Sequence, residues 1–233
     1  MIQDLGTVDV VVNNAGYCLM GPTETTSMAQ IKAQYDTNVF GLLAVTKAFI
    51  PHFRANQNGM FINLASASAR FNYPFIAAYG SSKWAMRGIG ESLGIELAPF
   101  NITVKTIYPG LHATRIFTKL DDGFERSNPI FAFYEKHFKT FLSAQESVPS
   151  VTSPTNIANE IYKAATQSKG KLNIISGGDA KLYAFLQKIL PEKMFQKMQL
   201  RTMTQKMSPM ELAFAKWLFG SNLAKLEVGK GKS

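Results

Sequence analysis

Four short runs rich in β-branched and apolar residues, at residues 8–12, 60–64, 102–108 and 172–175, constrain this chain more than any other feature. Runs of that length and composition read as buried strands. The stretches between them carry a helical apolar period instead. One opens at Ser27 with Gln30 three residues on, a capping-box arrangement, and runs toward Phe53 through Val39, Leu42, Leu43, Phe49 and Ile50. A second spans residues 76–97. A third is announced by Ser153 followed by Pro154 and continues through Ile157 and Ile161 to Ala165, with serine as cap and proline at the first helical position. Strands alternating with helices predict βαβ units, hence an α/β fold with a doubly wound parallel sheet.

A chain of 233 residues, 46% of them hydrophobic, can bury the core of one domain or of one domain with an appendage. A single cysteine, Cys18, excludes an internal disulfide framework and a cysteine-rich zinc site, and suits a reducing, cytoplasmic setting. No stretch approaches the ~20 apolar residues that span a bilayer. The net charge of +9 raises the question of nucleic acid, but most of it is local. Residues 181–233 hold ten Lys and Arg against Glu192, Glu211 and Glu227, which leaves the body nearly neutral and argues against a nucleic-acid groove in the core. Residues 181–233 therefore read as a basic helical extension, with Met194, Met198, Met203, Met207 and Met210 among its lysines. It either packs on the body or makes peripheral contact with an anionic membrane.

Residues 115–151 lack a clear period but carry Phe117, Phe124, Phe131, Phe133, Tyr134, Phe138 and Phe141. Such an insertion is a substrate lid or a pair of ordinary amphipathic helices, and the two readings are compatible. Gly88, Gly90 and Gly94 imitate a nucleotide-binding glycine motif, but the spacing is wrong and they lie within a helical pattern, so helix–helix packing is expected. His52, His112 and His137 have no partner pattern for a metal or a triad and are read as surface or lid residues, with no G-x-S-x-G elbow in the chain.

Chemistry is concentrated at Tyr79 and Lys83. Four residues apart at the head of a helical pattern, they share one face. An ammonium beside a phenol favours the phenolate, which makes Tyr79 a candidate general acid/base. Ser66 follows the run at 60–64 and so stands at a strand's carboxyl end, where open α/β sheets place ligands.

In this company the chain resembles the short-chain dehydrogenase/reductase family at five ordered places. Asn13-Asn14-Ala15-Gly16 ends the first strand; Asn38 follows in the next helix; Ser66 precedes Tyr79 by thirteen residues; Tyr79 and Lys83 form Tyr-x-x-x-Lys; Pro109-Gly110 with Thr114 forms Pro-Gly-x-x-x-Thr. The phrase Glu96-Leu97-Ala98-Pro99-Phe100 looks closest to the branch that includes 17β-hydroxysteroid-dehydrogenase-like enzymes. The resemblance implies a Rossmann-like domain over residues 1–180 and an NAD(P)-dependent oxidoreductase acting on an alcohol or carbonyl, the aromatic insertion suggesting an apolar substrate. It implies that Tyr79 exchanges a proton with the substrate oxygen, that Ser66 orients that oxygen, and that Lys83 lowers the tyrosine pKa and binds the nicotinamide ribose. Asn38 would hold a water feeding Lys83. Asn14, Ala15 and Gly16 would line the cofactor cleft, and Pro109, Gly110 and Thr114 would place the nicotinamide. Asn14 is equally readable as a tie between strands, and Gly16 as a turn residue. A homo-oligomer is implied too.

The family opens with a strand and a Thr-Gly-x-x-x-Gly-x-Gly turn that cradles a pyrophosphate. Nothing in this sequence matches it, so the sheet is expected to be incomplete at its N-terminal βαβ units and the choice of NAD or NADP is unreadable. Either the polypeptide starts upstream of Met1 or the chain is a catalytically inactive, binding or regulatory remnant. For the chain as written, weak or no nicotinamide binding is expected.

Overall fold

The computed structural model describes residues 6–112, 116, 121–123, 127–146, 153–167 and 170–204. Thr114 lies outside them, as do parts of the aromatic insertion and the extension beyond residue 204. All four predicted strands are present within a residue or two: β1 (Val10–Asn13), β3 (Gly59–Leu64), β4 (Ile102–Pro109) and β6 (Asn173–Ser176). They form one parallel sheet in the order β1-β3-β4-β6, with Val10 opposite Met60 and Gly59 opposite Ile102. Two two-residue strands, β2 (Leu19–Met20) and β5 (Asp121–Asp122), pair separately.

The long predicted helix at Ser27 is resolved into three parts. α1 (Met28–Tyr35) begins with the expected capping box between Ser27 and Gln30. A π-helical stretch, Asp36–Phe40, follows and widens the helix around the fully buried Asn38, and α2 (Gly41–Asn56) continues it. An extra residue per turn is a recognised way to aim one side chain inward, and sequence periodicity does not betray it. α3 (Ala77–Leu97) carries Tyr79 and Lys83 in its first two turns. α4 (Phe131–Glu146) lies in the aromatic insertion, and α5 (Pro154–Thr166) starts at the Ser153 cap. α6 (Gly178–Ile189) and α7 (Glu192–Thr204) follow the last strand.

Strand alternation sorts the core into two layers. On one face Val11, Phe61, Ile102 and Val104 pack with Phe53 of α2 and Leu97 of α3; on the other Ile62, Leu64 and Ile107 pack with Ile157, Ile161 and Ala164 of α5. Helices on both faces make the sheet doubly wound, as expected. Phe53 and Phe61 meet at 4.9 Å between ring centroids, and Gly59 leaves room for Phe53, whose ring atoms lie 2.2 Å from where a Cβ would sit. Truncating a ring buried this fully costs about 3–5 kcal/mol.

One expectation is corrected. Gly90 packs against the sheet, not against another helix, since a Cβ there would meet Thr106 Oγ1 at 2.7 Å, while Gly88 faces open space. The basic extension takes the first of its two expected arrangements over its described part: Phe195 of α7 is buried with Ala67, Phe71 and Ala180, and Tyr183 stacks on Phe71 at 5.0 Å. The described part of this segment thus packs on the core.

Candidate active site

Because the four strands run parallel, the loops after β1, β3, β4 and β6 meet along one edge of the sheet, beside the head of α3. That edge is where α/β sheets hold ligands. Lys83 is 4% exposed; its Nζ donates to the Leu64 carbonyl at 2.9 Å and lies 5.7 Å from the Tyr79 ring centroid. Burial pushes its pKa down to about 8, and the neighbouring Cys18 works the other way. Tyr79 is also buried, and burial raises its pKa above the ordinary value of 10; Cys18 adds to the rise and a hydrogen bond with Ser66 opposes it. The expected lowering of Tyr79 by Lys83 is therefore reversed. The ammonium is engaged by the Leu64 carbonyl, and removing the phenolate from water outweighs the remaining attraction.

Asn38 spans the gap between the loop after Gly16 and α3. Its Oδ1 accepts from Tyr17 N–H at 3.2 Å, while Nδ2 donates to the Tyr17 carbonyl at 3.2 Å and to Ser82 Oγ at 3.0 Å. Ser82 Oγ in turn donates to the Tyr79 carbonyl at 2.6 Å. One turn earlier Gln34, also fully buried, accepts from Leu19 N–H at 2.7 Å and donates to the Tyr17 carbonyl at 3.0 Å. The two amides stitch the loop after Gly16 to the helix. Gly16 itself admits them: a Cβ would lie 3.0 Å from Asn38 Oδ1 and 3.6 Å from Lys83 Nζ.

Asn14, Ala15 and Gly16 are exposed beside these groups. The tie between strands belongs to Asn13, whose Nδ2 donates to Asn63 Oδ1 at 2.9 Å and to Thr46 Oγ1 at 3.2 Å. Pro109 and Gly110 leave the carboxyl end of β4, where Gly110 N–H donates to the Ser176 carbonyl at 2.8 Å. His112, read from sequence as a surface or lid residue, is buried next to this turn, with Nδ1 against the Gly110 carbonyl at 2.9 Å. The other two histidines also pair with backbone, His52 with Val8 and His137 with Phe133. Among the described residues no His, Cys, Asp and Glu cluster could hold a metal.

An apolar wall faces Tyr79. Cys18, Met20, Phe75 and Ile76 pack with Phe141 and Phe138 of α4, and Phe75 meets Phe138 edge-on at 5.5 Å. Tyr134 of α4 donates its hydroxyl proton to Glu24 at 2.7 Å, pinning the helix to the loop after β2. An open cavity of about 430 Å³ near α1 is a different place. It is lined by Ala77, Ala78 and Ser81, which helical phase sets on the side of α3 opposite Tyr79 and Lys83.

Of the sequence-predicted residues, Asn38, Ser66, Tyr79, Lys83 and Gly16 converge, with Pro109 and Gly110 on the adjacent loop. Sequence reasoning missed Tyr17, Cys18, Gln34, Ser82 and Asp179. Gln34 stands four residues before Asn38 and Ser82 three after Tyr79, so helical phase could have found both. Tyr17 acts through its backbone and gives no signal.

Comparison with known proteins places the chain in a family. A family model described as short chain dehydrogenase matches residues 1–124. An uncharacterized oxidoreductase of Schizosaccharomyces pombe is 35% identical over 177 residues, covering 76% of this chain and 73% of that protein. Among solved structures, a short-chain dehydrogenase from Streptomyces avermitilis superposes with a TM-score of 0.69 at 26% identity, over 86% of this chain and 71% of that one. A short chain dehydrogenase from Burkholderia cenocepacia in complex with NADP gives a TM-score of 0.64 at 23% identity over 86% and 71%, a likeness of fold.

Proposed function

The chain belongs to the short chain dehydrogenase family, and we propose that it is an NAD(P)-dependent oxidoreductase interconverting an alcohol and a carbonyl on an apolar substrate. The observation that carries this is the convergence of Tyr79, Ser66 and Lys83 at the carboxyl edge of the sheet, with Tyr79 facing the aromatic wall of α4.

The residues present fit the nicotinamide end of a dinucleotide. Asn14 to Gly16 offer an exposed backbone edge beside Lys83, and Gly110 offers a second edge across the crevice. When bound, the nicotinamide supplies or accepts a hydride at the substrate carbon. Tyr79 gives its phenolic proton to the substrate oxygen in reduction and takes it back in oxidation. Its raised pKa keeps it protonated at neutral pH, the form that reduction uses. Ser66 holds the same oxygen through its hydroxyl. Lys83 would hold the ribose hydroxyls of the bound dinucleotide and would lend its charge to the phenolate that remains. Asn38 and Ser82 keep the helix head and the loop after Gly16 at a fixed separation. Phe75, Phe138 and Phe141 exclude water and set the preference for an apolar substrate.

A second reading is a binding or regulatory protein without turnover, favoured by the depth at which Tyr79 and Lys83 are buried. One experiment separates the two. The protein is titrated with NADH and NADPH by fluorescence, then assayed for cofactor oxidation against a panel of apolar carbonyls. Turnover that Tyr79→Phe lowers by about 10²-fold or more, the lower end of what one acid/base group typically contributes, supports the enzyme. Stable folding with no turnover and no response to that substitution supports the binding protein.

A further inference from the structure

Beyond the residues of the family motif, the strongest unexplained group is Asp179. It opens α6, directly after the turn Gly177-Gly178 in which Gly177 has φ +102°. Its carboxylate is 3% exposed and folds back over the neighbouring strand end. Oδ2 accepts from Leu111 N–H at 2.6 Å, and both oxygens press on Gly110, where a Cβ would come within 2.1 Å of Oδ1 and 2.3 Å of Oδ2. No other side chain than hydrogen fits at position 110 while Asp179 stands there. His112, Tyr73 and Tyr183 face the same carboxylate. Tyr73 comes from the loop between Ser66 and Tyr79, so the charge of the group is felt on both sides of the carboxyl edge of the sheet. Burial raises the pKa of Asp179, and the Leu111 amide opposes that rise. A carboxyl kept in so unfavourable a place is held there by what it bonds.

We infer that Asp179 is a positioning residue that sets the height of the Gly110-Leu111-His112 turn, and through it the pose in which the nicotinamide is received. The inference rests on the nicotinamide reading proposed above. The carboxylate acts through the backbone: it fixes the Leu111 amide, and the Gly110 surface follows. The acceptor oxygen matters more than the charge, so an amide in its place largely serves.

The test begins without cofactor. Hydrogen–deuterium exchange of the peptide covering residues 108–112 is compared for the unaltered protein, Asp179→Ala, Asp179→Asn and Gly110→Ala. Exchange at Leu111 rises tenfold or more in Asp179→Ala and Gly110→Ala, and stays within about threefold of the unaltered protein in Asp179→Asn. Gly110→Ala adds little in the Asp179→Ala background, because the carboxylate it collides with is gone. In the same series the Kd for NADH or NADPH rises about tenfold in Asp179→Ala, raising KM for the dinucleotide more than it lowers kcat. Unchanged exchange in a cooperatively folding Asp179→Ala overturns the inference, as does full additivity of the two substitutions. Should Asp179→Ala fail to fold, Asp179→Asn and Gly110→Ala carry the comparison, and equal exchange in Gly110→Ala and the unaltered protein is then the overturning result. Failure of the unaltered protein to bind either dinucleotide defeats the proposed function instead, and the exchange series still decides whether Asp179 sets the turn.

Discussion

Asn38 and Ser82, forty-four residues apart, are joined by a hydrogen bond of 3.0 Å that ties the π-helical stretch before α2 to α3. The bond continues to the Tyr79 carbonyl through the serine hydroxyl, and the same asparagine holds both backbone groups of Tyr17. Tyr79 and the loop that follows Gly16 therefore share one buried support. Rigid support of this kind is what lets an active site keep its geometry without substrate.

Replacing Asn38 with alanine removes three hydrogen bonds from a buried site, those to Tyr17 N–H, to the Tyr17 carbonyl, which keeps Gln34, and to Ser82 Oγ. The expected loss is about 2–4 kcal/mol, the sum of a few unsatisfied polar groups. Asn38→Asp keeps the acceptor for Tyr17 N–H and loses the donor, so it should fall between. Urea unfolding measures both, and a loss below about 0.5 kcal/mol, the range of neutral surface changes, would show that the support is not there.

The strands and the helix starts were legible because their signals are local: β-branched runs at 60–64 and 102–108, the Ser27–Gln30 box, and proline after Ser153. Tyr79, Lys83 and Ser66 were singled out by five ordered matches to a family pattern, the pair's spacing alone being a weak signal, and the fold brings the three together. What escaped was set by long-range packing. The direction of the Tyr79 shift depends on burial under α4 and on Lys83 turning to Leu64, neither of which a four-residue spacing encodes. His112 looked like a surface residue because nothing nearby in sequence announces that α6 covers it. Asn13 and Asn14 are identical in type, and only the pleat of β1 decides that the first points inward.

Two glycines of α3 should respond oppositely to alanine. Gly88 meets nothing within 4 Å of an added Cβ, so Gly88→Ala removes backbone freedom from the unfolded chain at no steric cost and stabilises by about 0.5–1 kcal/mol. Gly90 faces Thr106 Oγ1 at 2.7 Å and Asn63 Nδ2 at 3.3 Å, so Gly90→Ala overpacks the helix against the sheet and destabilises by about 1–3 kcal/mol. Urea midpoints of the pair decide it: a shift in the same direction for both refutes the packing assigned to Gly90.

The buried Lys83 predicts how stability varies in mild alkali. Its pKa is about 8 in the folded protein against 10.5 in the unfolded chain, so between these values the unfolded state binds more protons. Stability therefore rises with pH once pH passes 8, with a limiting slope of about 1.4 kcal/mol per unit for one group. Lys105, lowered by burial, acts in the same direction. Cys18 acts against it, because its thiol titrates near 12 when folded and 9.0 when unfolded, so its contribution falls as pH passes 9. Tyr79 joins Cys18 above pH 10, its ordinary value, since its folded pKa is higher still. The window in which Lys83 is seen most cleanly is pH 8 to 9. There the unaltered protein should gain roughly 1 kcal/mol relative to Lys83→Met, in which that proton is absent from both states. The difference is read from urea unfolding of the two proteins at pH 7, 8, 8.5 and 9. A difference independent of pH across that range would mean that Lys83 titrates as an ordinary exposed lysine, and its place between Leu64 and Tyr79 would have to be given up.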